Sequence, residues 1–216
     1  MSPRPTRLPL GPGGFQKLMN VSRETLERLN RYVELLTAWN SRINLVGRNT
    51  MGDVWRRHIL DSAQLYPHVP QDTRLLIDLG SGAGLPGLIL SLLGLPEVHL
   101  VESDARKAVF LREAARITEA PVTIHALRID RVKPLVAQVV TARALAPVAE
   151  LLEISERFRT PDTICLFPKG ENVQEELTEA TKQWKMTTHQ SPSLSDPSGC
   201  ILRLENINRD LSAGSR

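Results

Sequence analysis

The stretch that decides the fold is IDLGSGAGLPG, residues 77–87, in which an apolar run leads directly into a glycine-rich turn. Four of the eight residues from Gly80 to Gly87 are glycine. Glycine has no Cβ and tolerates positive φ, so the backbone of such a turn can approach a ligand closely. Alternating glycines between a strand and a helix are typical of nucleotide-type sites in α/β proteins. The alternative is a tight strand-to-helix turn that binds nothing.

Downstream of residue 74, short apolar runs alternate with longer amphipathic stretches, a pattern that predicts β-α-β units. The predicted strands cover residues 75–79, 98–102, 122–127, 139–142 and 163–167. The predicted helices begin near residue 86 and also cover residues 106–118, 148–158 and 172–184. Two final segments, 185–190 and 200–206, predict an antiparallel hairpin at one edge. The fold class is therefore α/β, with a mostly parallel sheet and an antiparallel edge.

The N-terminal third of the sequence does not show this alternation of apolar runs and amphipathic stretches. Residues 1–20 hold four prolines and three glycines, which predicts a flexible lead. Ser22 can then cap a helix whose apolar residues recur at helical spacing, namely Leu26, Leu29, Val33 and Leu36. The predicted organisation is a lead over residues 1–20, a small helical cap over 21–68 and the sheet domain over 69–208.

Composition excludes several classes of protein. The 216 residues are 41% hydrophobic, enough to bury a core, and two cysteines are too few for a disulfide framework. We find no apolar run that is typical of a signal peptide or a membrane span. The five histidines are dispersed without metal-ligand spacing. We therefore expect a cytoplasmic protein with no metal and no membrane partner.

The basic residues are concentrated near the N-terminus. Residues 1–68 carry ten basic and five acidic side chains, and nine of the ten basic ones are arginines. Arginine makes planar, bidentate contacts with phosphate oxygens, so this end can bind nucleic acid. A solvated helix surface is the alternative on charge alone.

Two cofactors compete for the glycine turn. Residues 82–87 satisfy GxGxxG, and Glu102 follows Gly82 by twenty residues, as in NAD-dependent oxidoreductases. However, Gly80 is the first glycine after the strand, and Asp78 just before it would repel a pyrophosphate and attract an amino group. S-adenosylmethionine has an ammonium, a sulfonium and no phosphate, so it fits this charge better. With either cofactor, Glu102 can accept hydrogen bonds from both ribose hydroxyls. Asp130 and Arg143 are further candidates because they follow later strands of the sheet.

Several motifs occur together in a characteristic order, namely Asn44-Leu45, RHILDS at 57–62, DLGSGAGLPG at 78–87, Val101-Glu102-Ser103, Arg143-Ala144 and Lys169-Gly170. On these motifs the sequence resembles the bacterial ribosomal RNA small subunit methyltransferase G family, also called glucose-inhibited division protein B. The resemblance covers roughly residues 25–205. It implies a Rossmann-like class I methyltransferase sheet with a small helical N-terminal cap.

The resemblance also implies a reaction and its partners. The activity would be methyl transfer from S-adenosylmethionine to N7 of guanine 527 in the 530 loop of 16S ribosomal RNA, free or within the small ribosomal subunit. Carried over by position, the cofactor contacts are Gly80, Leu85, Ile129, Asp130 and Arg143. Together with the residues argued above, the predicted cofactor site comprises Asp78, Gly80, Gly82, Leu85, Glu102, Ile129, Asp130 and Arg143.

Guanine N7 has a free lone pair and no proton at neutral pH, so its methylation needs no acid or base residue. Arg143 and Lys169 are the candidates for holding the guanine or the RNA phosphates. An ion pair with a nearby carboxylate is the alternative for Arg143, and a solvated side chain for Lys169. Arg56 and Arg57 are predicted to face RNA.

His58, Asp61 and Ser62 lie within about one helical turn. We interpret them as a packing network rather than a catalytic triad, because neighbours on one turn rarely point at each other. Two other functions stay open, an NAD-dependent oxidoreductase and a non-catalytic RNA-binding module. We expect a monomer.

Overall fold

The computed structural model describes residues 9–210 of the chain. One seven-stranded sheet runs through it in the order β3-β2-β1-β4-β5-β7-β6. The strands are β1 Leu75–Leu79, β2 Glu97–Val101, β3 Val122–His125, β4 Val139–Ala142, β5 Ile164–Lys169, β6 Trp184–Pro192 and β7 Cys200–Arg209. Strands β1 to β5 are parallel, whereas β7 pairs antiparallel with both β5 and β6. The predicted mostly parallel sheet with an antiparallel edge hairpin is confirmed.

The hairpin is longer than the sequence predicted, since β6 and β7 span nine and ten residues. The outer strand β6 is largely exposed, so its polar side chains carry no core pattern. Backbone hydrogen bonds extend the ladder regardless of side-chain polarity.

Seven α-helices accompany the sheet within residues 9–210. They are α1 Pro12–Met19, α2 Arg23–Asn40, α3 Asp61–Ala63, α4 Gly87–Leu92, α5 Ala105–Thr118, α6 Val148–Ser155 and α7 Val173–Ala180. Helices α1 to α5 share one apolar core with one face of the sheet, and α6 and α7 cover the other face. Successive strand residues alternate between the two cores, as Leu76 and Ile77 do in β1.

The prediction of a flexible lead over residues 1–20 is wrong for residues 12–19, which form α1. Pro12 suits the first turn of a helix, and Phe15 is completely buried against the ring of Trp55, with the ring centroids 5.4 Å apart. The Leu10 amide also donates to Asp53 Oδ1 at 2.8 Å. These tertiary contacts outweigh the local glycine and proline content. Residues 1–8 lie outside the described part of the chain.

The helical cap packs directly on the glycine turn. Ser22 caps α2 as predicted, since its Oγ accepts from the Thr25 amide at 3.0 Å. In the middle of α2, the buried Tyr32 hydroxyl donates to the carbonyl oxygen of Ala83 at 2.7 Å. The cap therefore helps to fix the turn that follows β1.

Candidate functional site

Two adjoining cavities lie at the carboxyl edge of the parallel strands, where ligands bind in open α/β sheets. The first, about 800 Å³, lies beside Glu102, and we call it the Glu102 cavity. The second, about 860 Å³, lies between the glycine turn and the helical cap and contains Arg143, so we call it the Arg143 cavity. Five residues line both cavities, namely Gly80, Gly82, Lys107, Ala144 and Leu145.

The glycine turn forms the shared wall. Gly80, Gly82 and Gly84 all have positive φ, at +66°, +55° and +83°. A Cβ on Gly82 would meet only the Gly80 carbonyl oxygen within 4 Å, at 3.9 Å, so this wall is bare backbone beside open space. A Cβ on Gly80 would instead lie 2.7 Å from Leu145 Cδ1. The predicted close approach of the backbone to a ligand is therefore possible at Gly82, whereas the space over Gly80 is taken by Leu145.

Glu102 is placed as a ligand-binding carboxylate at the end of β2. Its side chain accepts hydrogen bonds from the Gly82 amide at 2.8 Å and from the Asp104 amide at 2.7 Å. These bonds engage both carboxylate oxygens and fix their orientation toward the Glu102 cavity. Acceptor capacity remains, because each carboxylate oxygen has a second lone pair.

Asp78 does not line either cavity, and the prediction that it contacts the ligand directly is wrong. It is completely buried, with Oδ1 accepting from the Thr141 hydroxyl at 2.9 Å and Oδ2 from the Gly87 amide at 3.2 Å. Burial raises the pKa of this carboxyl to about 6, against the lowering effect of its hydrogen bonds. A Cβ on Gly87 would lie 2.7 Å from Asp78 Cβ, so the last glycine of the turn packs on this side chain. Asp78 therefore positions the turn from beneath.

The other predicted cofactor residues divide between the cavities. Ile129 and Asp130 line the Glu102 cavity, where the exposed Asp130 pairs with Arg128 at 3.2 Å. Leu85 and Arg143 line the Arg143 cavity instead. The structure thus brings the predicted set to one sheet edge but does not gather it into one cavity.

Arg143 is held in an ion pair, as the alternative interpretation anticipated. Its Nη1 lies 3.1 Å from Asp61 Oδ2 and 3.4 Å from His58 Nδ1. Only 18% of the Arg143 side chain and 19% of the Asp61 side chain are exposed, so solvent screens this pair poorly.

His58 is neutral in this network. The Thr50 hydroxyl donates to the Gly47 carbonyl at 2.6 Å, so at the 2.6 Å contact between Thr50 Oγ1 and His58 the Nε2–H must donate. The opposite nitrogen, Nδ1, then accepts from Arg143, which has only donors. Burial lowers the pKa of His58 to about 3, with Arg143 and Arg57 adding to the shift.

The interpretation of His58, Asp61 and Ser62 as a packing network is confirmed. The Ser62 hydroxyl donates to the backbone carbonyl of His58 at 2.8 Å and is not paired with the imidazole.

Residues Trp55–Leu60 form a π-helical segment before α3, a geometry that often accompanies functional sites.

The loop between β6 and β7 closes one side of the Arg143 cavity. Ser195 donates to Asp61 Oδ1 at 2.5 Å, and the Leu194 amide donates to Gln64 Oε1 at 2.6 Å. At the rim, Arg57 Nη1 lies 3.0 Å from Asp196 Oδ2. The edge hairpin is therefore joined to the helical cap through side chains more than 125 positions apart in sequence.

Lys169 is also paired. Its Nζ lies 2.7 Å from Glu176 Oε2 and donates to the Ala146 carbonyl at 2.8 Å, and the side chain is 9% exposed. The solvated side chain considered for Lys169 is therefore not what the structure contains. In contrast, the ammonium of Lys107 has no hydrogen-bond or ion-pair partner among residues 9–210.

The two predicted RNA-facing arginines point to different places. Arg57 lines the Arg143 cavity and is 44% exposed. Arg56 lines neither cavity, is 17% exposed and pairs with Asp53 at 3.2 Å. Arg56 therefore lies outside this site, and its predicted contact with RNA stays a prediction.

Sequence reasoning missed Lys107 and Leu145, which lie at the junction of the cavities. Lys107 had a signal, since it falls in the first turn of the helix that follows Glu102. Leu145 had none, because an exposed leucine in a loop has no distinguishing pattern. The sequence also did not predict that the loop at residues 44–47 lines the Arg143 cavity. Asn40 Oδ1 holds it by accepting from the Leu45 and Val46 amides at 3.0 and 2.9 Å.

Neither a metal-binding cluster nor a membrane-spanning helix is found within residues 9–210. No group of three or more His, Cys, Asp or Glu side chains there is placed to hold a metal ion. In that same range, every helix is too short or too polar to cross a membrane.

Solved structures resemble the whole arrangement of helices and sheet. A putative O-methyltransferase from Klebsiella pneumoniae matches with a TM-score of 0.61 at 13% identity, covering 90% of this chain and 95% of that one. An O-methyltransferase from Bacillus cereus, solved in complex with SAH, matches with a TM-score of 0.59 at 13% identity, covering 89% and 97%. This likeness confirms the predicted Rossmann-like class I methyltransferase fold.

Sequence relatives are much closer. A protein named ribosomal RNA small subunit methyltransferase G from Rhodospirillum centenum is 55% identical over 193 residues, which are 89% of each chain. The protein of the same name from Paramagnetospirillum magneticum is 52% identical over 93% of this chain and 98% of its own. The family model described as rRNA small subunit methyltransferase G matches residues 25–198. The resemblance found in the motifs is confirmed, and this chain belongs to the rRNA small subunit methyltransferase G family.

Proposed function

We propose that this protein transfers a methyl group from S-adenosylmethionine to N7 of a guanine, guanine 527 in the 530 loop of 16S ribosomal RNA. The observation that carries the proposal is the pair of cavities that share the bare backbone of Gly82. One cavity offers space for a donor and the other for an acceptor, and they meet where transfer must occur. Family membership supports this assignment over the NAD-dependent oxidoreductase.

The charge of the Glu102 cavity fits the proposed cofactor. Five acidic side chains line it, namely Glu102, Asp130, Glu150, Glu153 and Glu156, against three basic ones, Lys107, Arg128 and Arg157. An excess of carboxylates favours a ligand with net positive charge and disfavours a diphosphate. The exposed Leu127 and the half-buried Ile129 add apolar surface for an adenine ring.

When bound, S-adenosylmethionine supplies an electrophilic methyl group on a sulfonium. The residues that would hold it are Gly80 and Gly82 through the turn backbone, Glu102 through its carboxylate, and Ile129 and Asp130 after β3. Asp78 acts indirectly, because its bond to the Gly87 amide keeps the turn in place.

The chain needs no general base for this chemistry, since guanine N7 already presents a lone pair. Within residues 9–210, His58 is the one imidazole lining the Arg143 cavity, and it is engaged with Thr50 and Arg143 on its two nitrogens. Its low pKa keeps it uncharged, so it does not repel a cationic donor. The protein accelerates transfer by aligning donor and acceptor in a space with little water.

The Arg143 cavity receives the guanine, and its rim meets the RNA backbone. Arg143 and Lys169 are oriented by Asp61 and Glu176 and donate to the base edge with their remaining N–H groups. Arg57 at the rim and the unpaired Lys107 at the junction contact phosphates. The partner is 16S ribosomal RNA or the small ribosomal subunit, the location is the cytoplasm, and the active form is a monomer.

Methyl incorporation tests this proposal. Small subunits from cells that lack the modification are incubated with the protein and S-adenosylmethionine, and the RNA is digested and analysed. We expect N7-methylguanosine at a single guanine of the 530 loop. Binding to the subunit without methylation would favour the non-catalytic RNA-binding module, and methylation at another atom or site would contradict the proposal.

A further inference from the structure

The loop after β4 places one apolar side chain at the junction of the two cavities. Leu145 lines both of them and is 39% exposed, so a large aliphatic side chain is accessible where the cavities meet. The residues around it on the same loop, Arg143 and Ala146, belong to the Arg143 cavity.

The backbone at Ala144, the residue before Leu145, adopts a strained conformation. Ala144 has φ of +51°, the left-handed region that a residue with a Cβ rarely adopts. Strain of this kind persists where the surroundings fix it, and it concentrates at functional sites. Opposite, the missing Cβ of Gly80 leaves the space that the Leu145 methyl groups occupy. Two independent backbone features therefore direct this side chain over the glycine turn.

The Arg143 cavity offers few surfaces for the flat face of a purine. Its lining contains no Phe, Tyr or Trp among the described residues. Its other leucine and valine side chains, Leu45, Val46 and Leu85, are each less than 10% exposed, whereas Pro147 is exposed and Pro168 is half-buried. Leu145 is the large aliphatic side chain of that lining with substantial accessible surface.

We propose that Leu145 packs against the face of the target guanine and sets the distance between the base and the methyl donor. This inference rests on the proposed function. Because Leu145 lies at the point common to both cavities, a base resting on it lies next to the donor. An aliphatic side chain excludes water from that point and offers no lone pair to compete for the methyl group.

The test compares Leu145→Ala with three other variants. Leu145→Met restores apolar bulk at the same position. Leu18→Ala removes an exposed leucine of α1 that lines neither cavity, and Leu127→Ala removes one that lines only the Glu102 cavity. Each is titrated with S-adenosylhomocysteine by calorimetry and assayed for methyl transfer to unmodified small subunits. Protection of the target guanine N7 from dimethyl sulfate is measured in the complex with S-adenosylhomocysteine.

For Leu145→Ala we expect kcat to fall about 10- to 100-fold, because small misplacements of reacting atoms are costly. The KM for subunits and the affinity for S-adenosylhomocysteine stay within about twofold, whereas protection of the guanine N7 is lost. Leu145→Met recovers most of both properties, and Leu18→Ala behaves as wild type. Leu127→Ala weakens S-adenosylhomocysteine binding but retains protection when saturated.

Two results would overturn the inference. A loss of S-adenosylhomocysteine affinity in Leu145→Ala with unchanged guanine protection would assign the residue to the cofactor. Wild-type kinetics and protection in Leu145→Ala would show that the base does not rest on it. If the wild-type protein neither methylates nor protects the guanine, the proposed function itself is wrong. That result is seen in the wild-type protein and is therefore distinct from a failure of the inference about Leu145.

Discussion

The Glu102 cavity and the Arg143 cavity share a wall but are constructed differently. The first is formed by strand ends, the loops that directly follow them and one side of α6, and its key contacts are to the backbone, such as Gly82 to Glu102. The second joins segments that are far apart, and three of its basic side chains, Arg57, Arg143 and Lys169, are already paired with carboxylates. Local sequence therefore determines most of the proposed donor side, and tertiary packing determines the proposed acceptor side.

This difference has a functional consequence. A small cofactor needs a rigid backbone surface, which glycine and a fixed carboxylate provide. An RNA base needs specific orientation within a strongly anionic polymer, and pre-paired cations reduce unselective attraction while keeping directional donors. The two cavities should therefore respond differently to substitution.

The largest effect is expected in the shared wall. Gly82→Val places a β-branched side chain at φ +55° and fills the open space of the turn. We expect the affinity for S-adenosylhomocysteine to fall at least about 100-fold and methylation to be undetectable. Gly52→Ala is the control, since a Cβ there meets nothing within 4 Å. Retained affinity in Gly82→Val would show that the cofactor does not use this wall.

The next effect distinguishes His58, in the Arg143 cavity, from Asp78, buried beneath the glycine turn, by the pH dependence of stability. The pKa of His58 is lowered from 6.5 to about 3. Between these two pH values the unfolded chain binds more protons than the folded chain, so the free energy of unfolding rises with pH. The pKa of Asp78 is raised from 3.8 to about 6, so its contribution falls as pH rises between those values. Each slope is up to about 1.4 kcal/mol per pH unit.

Urea unfolding of His58→Asn and Asp78→Asn from about pH 3 to 6.5, the range spanned by the shifted and unshifted pKa values of the two groups, checks these signs. The free energy of unfolding of wild type minus that of His58→Asn should increase with pH. The free energy of unfolding of wild type minus that of Asp78→Asn should decrease with pH. Parallel pH profiles for all three proteins would contradict both assignments.

A smaller effect is expected from the ion pairs. A double-mutant cycle of Arg143→Ala and Asp61→Asn should give a coupling energy of about 2 kcal/mol, because both side chains are more than 80% buried. The more exposed pair of Arg57 and Asp196 should give less than about 1 kcal/mol in the same cavity. Equal coupling in both cycles would show that burial does not govern these pairs.

The smallest effect concerns the rim. Arg57→Ala should weaken binding to small subunits by a few-fold and reduce the salt slope of log affinity by about 1. Arg56→Ala serves as the matched control, since this arginine lines neither cavity and should leave the slope unchanged. The assignment of Arg57 to RNA fails if both variants keep the wild-type salt slope.

What the sequence could predict follows the same division. The strand β1, the glycine turn and the place of Glu102 come from contiguous patterns, so they were predictable. The contact between Arg57 and Asp196 joins residues 139 positions apart and had no local signal. Helix α1 was missed because the burial of Phe15 depends on Trp55, a tertiary contact. Asp78 was misplaced because sequence position does not show which side of the turn a carboxylate occupies.

The proposed function depends most on the ligand of the Glu102 cavity and the glycine turn, which we propose is an S-adenosyl compound rather than a dinucleotide. Calorimetric titration of the full chain with S-adenosylmethionine, S-adenosylhomocysteine and NAD tests it directly. We expect saturable one-to-one binding of both S-adenosyl compounds and no heat of binding with NAD. Binding of NAD without binding of either S-adenosyl compound would contradict it.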